Sequence, residues 1–173
     1  MIRRAGLAAL GSLLLGLATA RAAVPPADGE KLEYQIGWPS GLDLGTAKLE
    51  AVPVKQGQPA AWQFSLSFDI AVPGLRFTDH YATTATENFC TLSLEKQARR
   101  LNRQRQERIF FDYQQQLAKR QIDGGPPSEF PIPACARDLL GFLYFLRRSL
   151  EQGRLPGPQT LYFGSQYLSL IHI

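Results

Sequence analysis

Histidine, methionine and cysteine are scarce in this chain, and their scarcity excludes most metal and cofactor chemistry. The 173 residues include two histidines, two cysteines and one methionine, with neither a CxxC spacing nor a cluster of histidines. A metal site needs several such ligands brought together. The chain also lacks a G-x-S-x-G nucleophile elbow and a glycine-rich phosphate loop. We therefore expect no metal, no cofactor and no catalytic set.

Long apolar runs are absent except at the start of the chain. The opening MIRRAGLAALGSLLLGLATARAA has a basic start, an apolar run at 5–18, and alanines at 20 and 22 in A-x-A spacing. This pattern is typical of a secretory signal peptide, whereas a membrane-spanning helix would need about 20 apolar residues. We expect 1–22 to be removed, the protein to be exported to the periplasm, and 23–173 to form one domain that does not span the membrane.

A large excess of one charge is also missing once that leader is set aside. The chain has 19 basic and 15 acidic residues, but Arg3, Arg4 and Arg21 lie in the leader, which leaves 16 basic against 15 acidic. Nucleic-acid binding needs a strong positive footprint. The one basic stretch, at 96–108, contains no aromatic residue that could stack on bases. We expect no nucleic-acid partner.

The two cysteines lie in the part of the chain that we expect to be exported. Disulfides persist outside the cytoplasm, and a bond between Cys90 and Cys135 would close a loop of about 45 residues. A pair of thiol nucleophiles is the weaker alternative. We expect a structural Cys90–Cys135 disulfide.

The chain is rich in two-residue alternation of apolar and polar side chains. In AWQFSLSFDI, at 61–70, every second residue is apolar without a break. That period is typical of a half-buried strand. Similar segments predict strands at 31–38, 46–54, 78–89, 91–101, 108–113 and 116–122. We expect an all-β fold, either an open antiparallel β-barrel or a sandwich, with one packed α-helix.

The helix is predicted from the one segment that breaks the alternation. Residues 139–146 are almost wholly apolar, an aspartate precedes them, two arginines follow them, and Gly153 is placed to end a helix. A helix that is apolar on nearly every side has to be surrounded. We expect a helix at 136–152, buried against the strand faces that carry Leu32 and Trp62.

Three stretches carry motifs that occur together: GEKLEYQIGWPSGLDLGTAKLE at 29–50, DHYATTATE at 79–87 and IPACARDLLGFLYFLRRSLEQG at 132–153. In combination they resemble domain-of-unknown-function family 3108, a family of exported bacterial envelope proteins. The resemblance runs from about Gly29 to Phe163. It implies an exported, mostly antiparallel β protein with one packed helix, and it implies no catalytic residues.

The C-terminal end departs from this resemblance. Family members continue with several strands after the helix, whereas this chain has one strand-like piece, QTLYFGSQYL, and ends in SLIHI. We expect the protein to be truncated there and 168–173, which look like translated adaptor text, to be non-native. The resulting unpaired edge would favour dimerisation or aggregation, so the oligomeric state is left open.

Two groups of side chains are candidates for ligand binding. The first is aromatic and would form the wall of a pocket, although such residues are more often core: Trp38, Trp62, Phe64 and Phe68. The second belongs to the basic stretch and would bind the phosphate or sulfate of a lipid headgroup or acidic glycan: Arg99, Arg103 and Arg105. For this second group, a solvated face that discourages sheet pairing is the alternative.

The sequence favours a binding protein over an enzyme. The main hypothesis is a non-enzymatic envelope protein whose β cup binds a lipid, a glycolipid or a polysaccharide. The alternative is an exported hydrolase using Asp79 and His80 with residues that this chain lacks, although neighbours on a strand point to opposite faces. A purely structural role in an envelope assembly is also left open.

Overall fold

The computed structural model describes residues 25–26, 28–54, 62–100, 103–163 and 166–170. It contains ten strands and one helix within those residues. Their bounds are β1 Glu30–Gly37, β2 Asp43–Pro53, β3 Trp62–Val72, β4 Leu75–Ala85, β5 Thr91–Arg100, β6 Arg103–Asp112, β7 Leu117–Ile122, β8 Ser128–Pro131, α1 Leu139–Glu151, β9 Gln159–Phe163 and β10 Gln166–Leu170. The predicted leader at 1–22 lies outside the described residues.

The first eight strands form one antiparallel sheet in which each strand pairs with the next along the chain. This order, β1 to β8, is a simple meander, and the sheet is not closed because β1 and β8 lie at its two edges. β9 and β10 pair as a separate hairpin. The prediction of a mostly antiparallel, open β fold with one packed helix is confirmed.

Strand register places the alternating apolar side chains of neighbouring strands on one face. Phe64 on β3 pairs with Ala51 on β2 and with Thr83 on β4, and Thr83 pairs in turn with Leu94 on β5. Cross-strand partners share a face, and residues two apart along a strand do so as well. We call the face that carries Phe64 and packs against α1 the inner face, and its opposite the outer face.

The helix begins where Asp138 caps it. The side chain of Asp138 accepts a hydrogen bond from the backbone N–H of Gly141 at 2.7 Å, which satisfies one of the free N–H groups of the first turn. The helix ends at Glu151, and Gly153 follows in a left-handed conformation, with φ at +70°. The predicted range of 136–152 was too long by three residues at the start and one at the end.

The main core lies between α1 and strands β2 to β4. The ring of Tyr144 on α1 stacks on that of Phe64, with centroids 4.4 Å apart and planes 9° apart. Both residues are fully buried, together with Phe89 and Leu140. Leu32 and Trp62 pack against this cluster, as the sequence predicted, but they are only partly buried.

A second core cluster lies between β6, β7 and β9. The ring of Phe130 stacks on Tyr162 at 5.4 Å, and Phe111 meets the same ring edge-on at 5.8 Å. A backbone hydrogen bond of 2.8 Å from Tyr162 to Arg137 joins β9 to the segment before α1. The sequence predicted a single strand-like piece at 159–168, but the structure has two paired strands there, β9 and β10.

The predicted disulfide is confirmed. Cys90 and Cys135 are bonded, with Cα atoms 5.0 Å apart. Beside the bond, the backbone N–H of Thr91 donates to the carbonyl of Ala136 at 2.9 Å, and the hydroxyl of Tyr113 donates to both Thr91 and Ala136 carbonyls. These contacts join the segment before α1 to the start of β5.

One prediction about the helix is wrong: it is not surrounded on all sides. Leu139 is 46% exposed and Leu150 is 50% exposed, and several other apolar side chains of α1 are half-buried. The sheet supports only one side of the helix, where α1 contacts β3 and β4, and α1 also contacts β9 of the separate hairpin. These two leucines are therefore only partly covered, and Leu139 borders the site described next.

Candidate functional site

The inner face is covered at one end only. There, α1 and β9 pack over the part of the sheet that includes Phe64 and Ile109. Towards the other end the inner face continues through Phe68, Asp79 and Arg105, which are partly or fully exposed. The boundary between the covered and uncovered parts contains the candidate site.

An apolar pocket of about 240 Å³ lies at that boundary. Leu66, Phe68 and Leu94 contribute its wall on the sheet, and Leu139 and Leu140 contribute its wall on the first turn of α1. Ligand pockets are mostly apolar clefts of roughly 300 to 1,000 Å³ with a few polar groups. This pocket is slightly smaller than that range, so it has room for a small ligand or for one part of a larger ligand. We call it the apolar pocket.

A second pocket of about 360 Å³ adjoins the first on the inner face. The two share Tyr81, Lys96 and Glu107 in their linings. The lining of the second is mainly charged, and we call it the charged pocket: Asp79, Tyr81, Lys96, Ala98, Arg100, Arg105, Glu107 and Arg120.

Two ion pairs neutralise part of the charged pocket. The guanidinium of Arg100 makes a two-pronged contact with the carboxylate of Asp79, in which Nη2 lies 2.6 Å from Oδ2. Arg120 Nε lies 2.6 Å from Glu107 Oε1, and Glu107 is buried. These carboxylates raise the pKa of Arg100 and of Arg120 through hydrogen bonds to their guanidinium groups. Both arginines therefore stay charged.

The pocket also contains cations that these carboxylates do not pair with. Within the described ranges, neither Lys96 nor Arg105 lies within ion-pair distance of an acidic side chain. Lys96 is half-buried, and its Nζ lies 5.2 Å from the centroid of the Tyr81 ring. The site thus joins an apolar end to an end with unpaired positive charge.

Asp138 lies at the back of the apolar pocket, but its contacts are structural. Burial raises the pKa of its carboxyl group, although hydrogen bonds from Thr83, Gly141 and Thr91 act in the opposite direction. Oδ2 accepts from the Thr83 hydroxyl and Oδ1 accepts from Gly141 N–H. Because both oxygens are used inside the protein, Asp138 has no free oxygen directed at a ligand.

The four aromatic candidates separate into different environments. Phe68 lines the apolar pocket. Phe64 is fully buried and stacks on Tyr144, and Trp62 is partly buried against the same core, so both contribute to packing. Trp38 is 64% exposed in the turn between β1 and β2. Only Phe68 contributes to the pocket wall.

The three arginine candidates do not all lie on the same face of the sheet. Register pairs Arg105 with Ala98 and Arg103 with Arg100, which places both arginines on the inner face. Arg99 pairs with Gln104 and therefore lies on the outer face, near Asp69 and Arg76. Of the three, Arg105 lines the charged pocket.

Asp79 and His80 lie on opposite faces of β4, as neighbours on a strand must. Asp79 pairs with Phe68 on the inner face, and its carboxylate is engaged by Arg100. His80 pairs with Ser67 on the outer face. The two side chains cannot act on one substrate, so the geometry gives the hydrolase alternative no support.

Sequence reasoning considered Lys96 only as one member of the basic stretch at 96–108, and it did not identify Glu107 or Leu139 as site residues. Lys96 and Glu107 face each other across β5 and β6, and the alternation of those strands was the signal that could have placed them together. Leu139 was assigned to a wholly surrounded helix. Its role in the pocket depends on where the helix stops covering the sheet, which the sequence does not state.

Two searches of the described residues bear on what the site can hold. In that part of the chain, no three histidine, cysteine, aspartate or glutamate side chains are grouped so that they could bind a metal ion. None of its helical segments is both long and apolar enough to span a bilayer.

Fold and site together define a class: an open antiparallel β protein in which one helix half-covers the inner face and leaves an apolar pocket beside a cationic one. The chain belongs to the family described as "Protein of unknown function (DUF3108)", which it matches over residues 33–166. The resemblance noted from the sequence is thereby confirmed. No curated protein and no solved structure matches the chain.

Proposed function

We propose that this protein is an exported bacterial envelope protein that binds the hydrocarbon chain of a lipid or glycolipid in its apolar pocket and catalyses no reaction. The observation that carries the proposal is the pocket itself, where Leu66, Phe68 and Leu94 on the sheet face Leu139 and Leu140 on α1 across an opening. Removing such surface from water stabilises a complex by roughly 25 cal/mol per Å².

Leu139 also supports the proposal, because it is an exposed apolar side chain at a position where a polar residue would be compatible with the fold. It is the first residue of α1 and is 46% exposed, a position at which acidic side chains favour the helix dipole. A leucine there extends the apolar wall of the pocket towards solvent. A hydrocarbon chain entering the pocket would contact it.

Calorimetric titration with a twelve-carbon monoacylglycerol, below its aggregation concentration, tests this proposal. We expect saturable binding with a negative heat-capacity change, which is the mark of apolar burial. The variant Leu139→Glu places a carboxylate at the pocket opening while suiting the helix N-terminus, so it should abolish binding without unfolding the protein. Leu155→Glu is the matched control, because Leu155 is 83% exposed and does not line the pocket.

Other outcomes of the same titration count against the proposal. Binding of maltohexaose in place of the monoacylglycerol would favour a glycan ligand. Equal lipid binding by the wild type and Leu139→Glu would place the lipid somewhere other than the apolar pocket.

Export is supported by the N-terminal pattern and by the disulfide, since disulfides persist in oxidising compartments. We expect protein recovered from the periplasm of an expressing bacterium to begin at Ala23. Intact-mass spectrometry measures this directly. A periplasmic fraction without the protein, or a chain that retains Met1 throughout, would contradict export through a cleaved leader.

A further inference from the structure

The charged pocket carries more positive than negative charge. Its lining has two carboxylates, Asp79 and Glu107, and four cationic side chains: Lys96, Arg100, Arg105 and Arg120. Each carboxylate is already bonded to one arginine. The pocket therefore has a surplus of two positive charges from Lys96 and Arg105, with no acid of the described chain paired to either.

These two cations are placed to reach one ligand group. Lys96 lies directly opposite Glu107, and Arg105 lies two residues from Glu107 on the same face of β6. Such diagonal neighbours have backbone positions roughly 7 to 8 Å apart, which long side chains can bridge. The residue opposite Arg105 is Ala98, whose small side chain leaves space between the two cations.

The surroundings of Lys96 make an anionic partner favourable. Its side chain is half-buried against the Tyr81 ring, so its charge is less hydrated than that of a fully exposed lysine. Coulomb attraction is several times stronger in such a partly dehydrated site than in bulk water. A carboxylate or phosphate would gain from this, whereas a neutral group would not.

A further pair of like charges lies next to the pocket. Arg100 and Arg103 are direct cross-strand partners on the inner face at the end of the β5–β6 hairpin. Like charges directly opposite each other destabilise a sheet. Asp79 already pairs with Arg100, so the charge that no acid of the described residues pairs with is that of Arg103, and it adds to the positive charge at this end of the inner face.

We infer that the ligand is an anionic amphiphile whose chain lies in the apolar pocket and whose phosphate or carboxylate binds Lys96 and Arg105. The inference rests on the proposed function and extends it by naming the headgroup class. Its geometric basis is that the two pockets share Tyr81, Lys96 and Glu107, so a chain in one places its headgroup in the other.

The test keeps the chain constant and varies the headgroup. Dodecyl phosphate, the neutral monododecanoylglycerol and inorganic phosphate are titrated separately into the wild-type protein. We expect dodecyl phosphate to bind about tenfold or more tightly than the monoacylglycerol, because hydrogen bonds to charged groups are the stronger ones. That advantage should shrink as ionic strength rises. Inorganic phosphate alone should bind weakly or not at all.

Charge-removing variants locate the headgroup. In Lys96→Gln/Arg105→Gln the tenfold advantage of dodecyl phosphate over the monoacylglycerol should disappear. Because Lys96 also lines the apolar pocket, the readout is the ratio of the two affinities, in which any change of chain binding cancels. The matched control is Arg99→Gln/Arg154→Gln, which removes the same net charge from the outer face and from the segment after α1. The control should keep the advantage in full.

The outcomes separate this inference from the proposed function. Equal affinity for the two twelve-carbon ligands, with both lost in Leu139→Glu, would overturn the headgroup inference and leave chain binding intact. Inorganic phosphate binding as tightly as dodecyl phosphate would overturn it too, because the pocket would then be a site for a free anion. Absence of binding by all three probes would overturn both proposals.

Discussion

At the scale of single residues, Asp138 has the most consequential position in the fold. It caps α1, bonds to Thr83 on β4, and its own backbone N–H donates to the hydroxyl of Thr91 on β5 at 2.9 Å. One residue thus joins the helix to two strands of the inner face, to β4 through its side chain and to β5 through its backbone N–H. The cost is a fully buried carboxyl group, and burial raises its pKa above the ordinary value.

This raised pKa predicts a change of stability with pH. A carboxyl group with a raised folded-state pKa contributes stability that is fully present below its unfolded value, 3.8, and is lost as pH rises through the folded-state value. Asp138→Asn keeps an acceptor for Gly141 and does not ionise. We expect the two proteins to have similar free energies of unfolding at pH 3. As pH rises to 7, the variant should become more stable than the wild type.

Urea unfolding at several pH values measures this difference. Asp138→Ala serves as the comparison, because it leaves the partners of Asp138 without a bond and should cost about 1 to 3 kcal/mol at pH 3. That cost should shrink towards pH 7 as much as the Asn variant gains, because alanine does not ionise either. A constant difference between the wild type and Asp138→Asn over pH 3 to 7 would show that the group does not titrate differently on folding.

Gly141 gives a second prediction at this scale. Alanine is the better helix former by about 1 kcal/mol, yet a Cβ at this position would lie 2.8 Å from the carbonyl oxygen of Phe89 and 3.2 Å from Asp138 Oδ1. Backbone cannot move away cheaply, so Gly141→Ala should destabilise the protein by about 1 to 3 kcal/mol. Thermal unfolding measures it, with Gly157→Ala as control because nothing lies within 4 Å of a Cβ there.

At the scale of elements, a half-buried ion pair joins the edge strand β1 to the helix. Arg147 contacts the Glu30 carboxylate through Nη1 at 2.5 Å and Nη2 at 2.8 Å, and the Tyr144 hydroxyl donates to the same carboxylate at 3.0 Å. Hydrogen bonding to Arg147 lowers the pKa of Glu30, against the opposing effect of burial. Burial, together with the hydrogen bond to the same carboxylate, raises the pKa of Tyr144.

This pair predicts the opposite pH dependence to that of Asp138. Because the folded-state pKa of Glu30 is lowered, its stabilisation is present above the unfolded value of 4.5 and is lost as pH falls through the folded-state value. Glu30→Gln should therefore cost about 1 to 2 kcal/mol at pH 7, and less as pH falls below 4.5. In this variant, hydrogen exchange of the backbone amides should increase more in β1 than in the other strands. A cost that persists unchanged at pH 2.5 would contradict the assignment.

The features that could be predicted from the sequence are those that depend on local residue pattern, and the others depend on how the elements pack. Two-residue alternation fixes strands locally, so β3, β5 and β7 lie within two residues of their predicted places, whereas β6 begins at Arg103, five residues before the predicted 108–113. The disulfide was predictable because there were only two cysteines to pair. The pocket was not predictable, because it depends on how far α1 extends over the sheet. The sequence could not show that Arg99 and Arg105 lie on opposite faces of the sheet, because this depends on the register of β5 with β6.

At the scale of the whole molecule, the disulfide is the longest covalent constraint. It joins residues 45 apart in sequence and links the β4–β5 connection to the start of α1. A loop of that length lowers the entropy of the unfolded chain, which corresponds to a stabilisation of about 4 kcal/mol. We expect Cys90→Ser/Cys135→Ser to lower the free energy of unfolding by about 2 to 4 kcal/mol, and reducing agent to have no further effect on that variant.

Chemical denaturation with and without reducing agent measures this contribution. Reduced wild-type protein should unfold at the same denaturant concentration as the double serine variant. Wild-type protein that is equally stable with and without reductant would mean that the bond does not constrain the unfolded chain.

The whole molecule is interpreted as a sheet half-covered by one helix, with a hydrocarbon chain completing the cover at the apolar pocket. Intermolecular nuclear Overhauser effects between monododecanoylglycerol and methyl-labelled protein measure this contact most directly. We predict cross-peaks from the chain protons to the methyl groups of Leu66, Leu94 and Leu139. Cross-peaks confined to exposed leucines outside the pocket, such as Leu42 and Leu155, or none at saturating lipid, would contradict it.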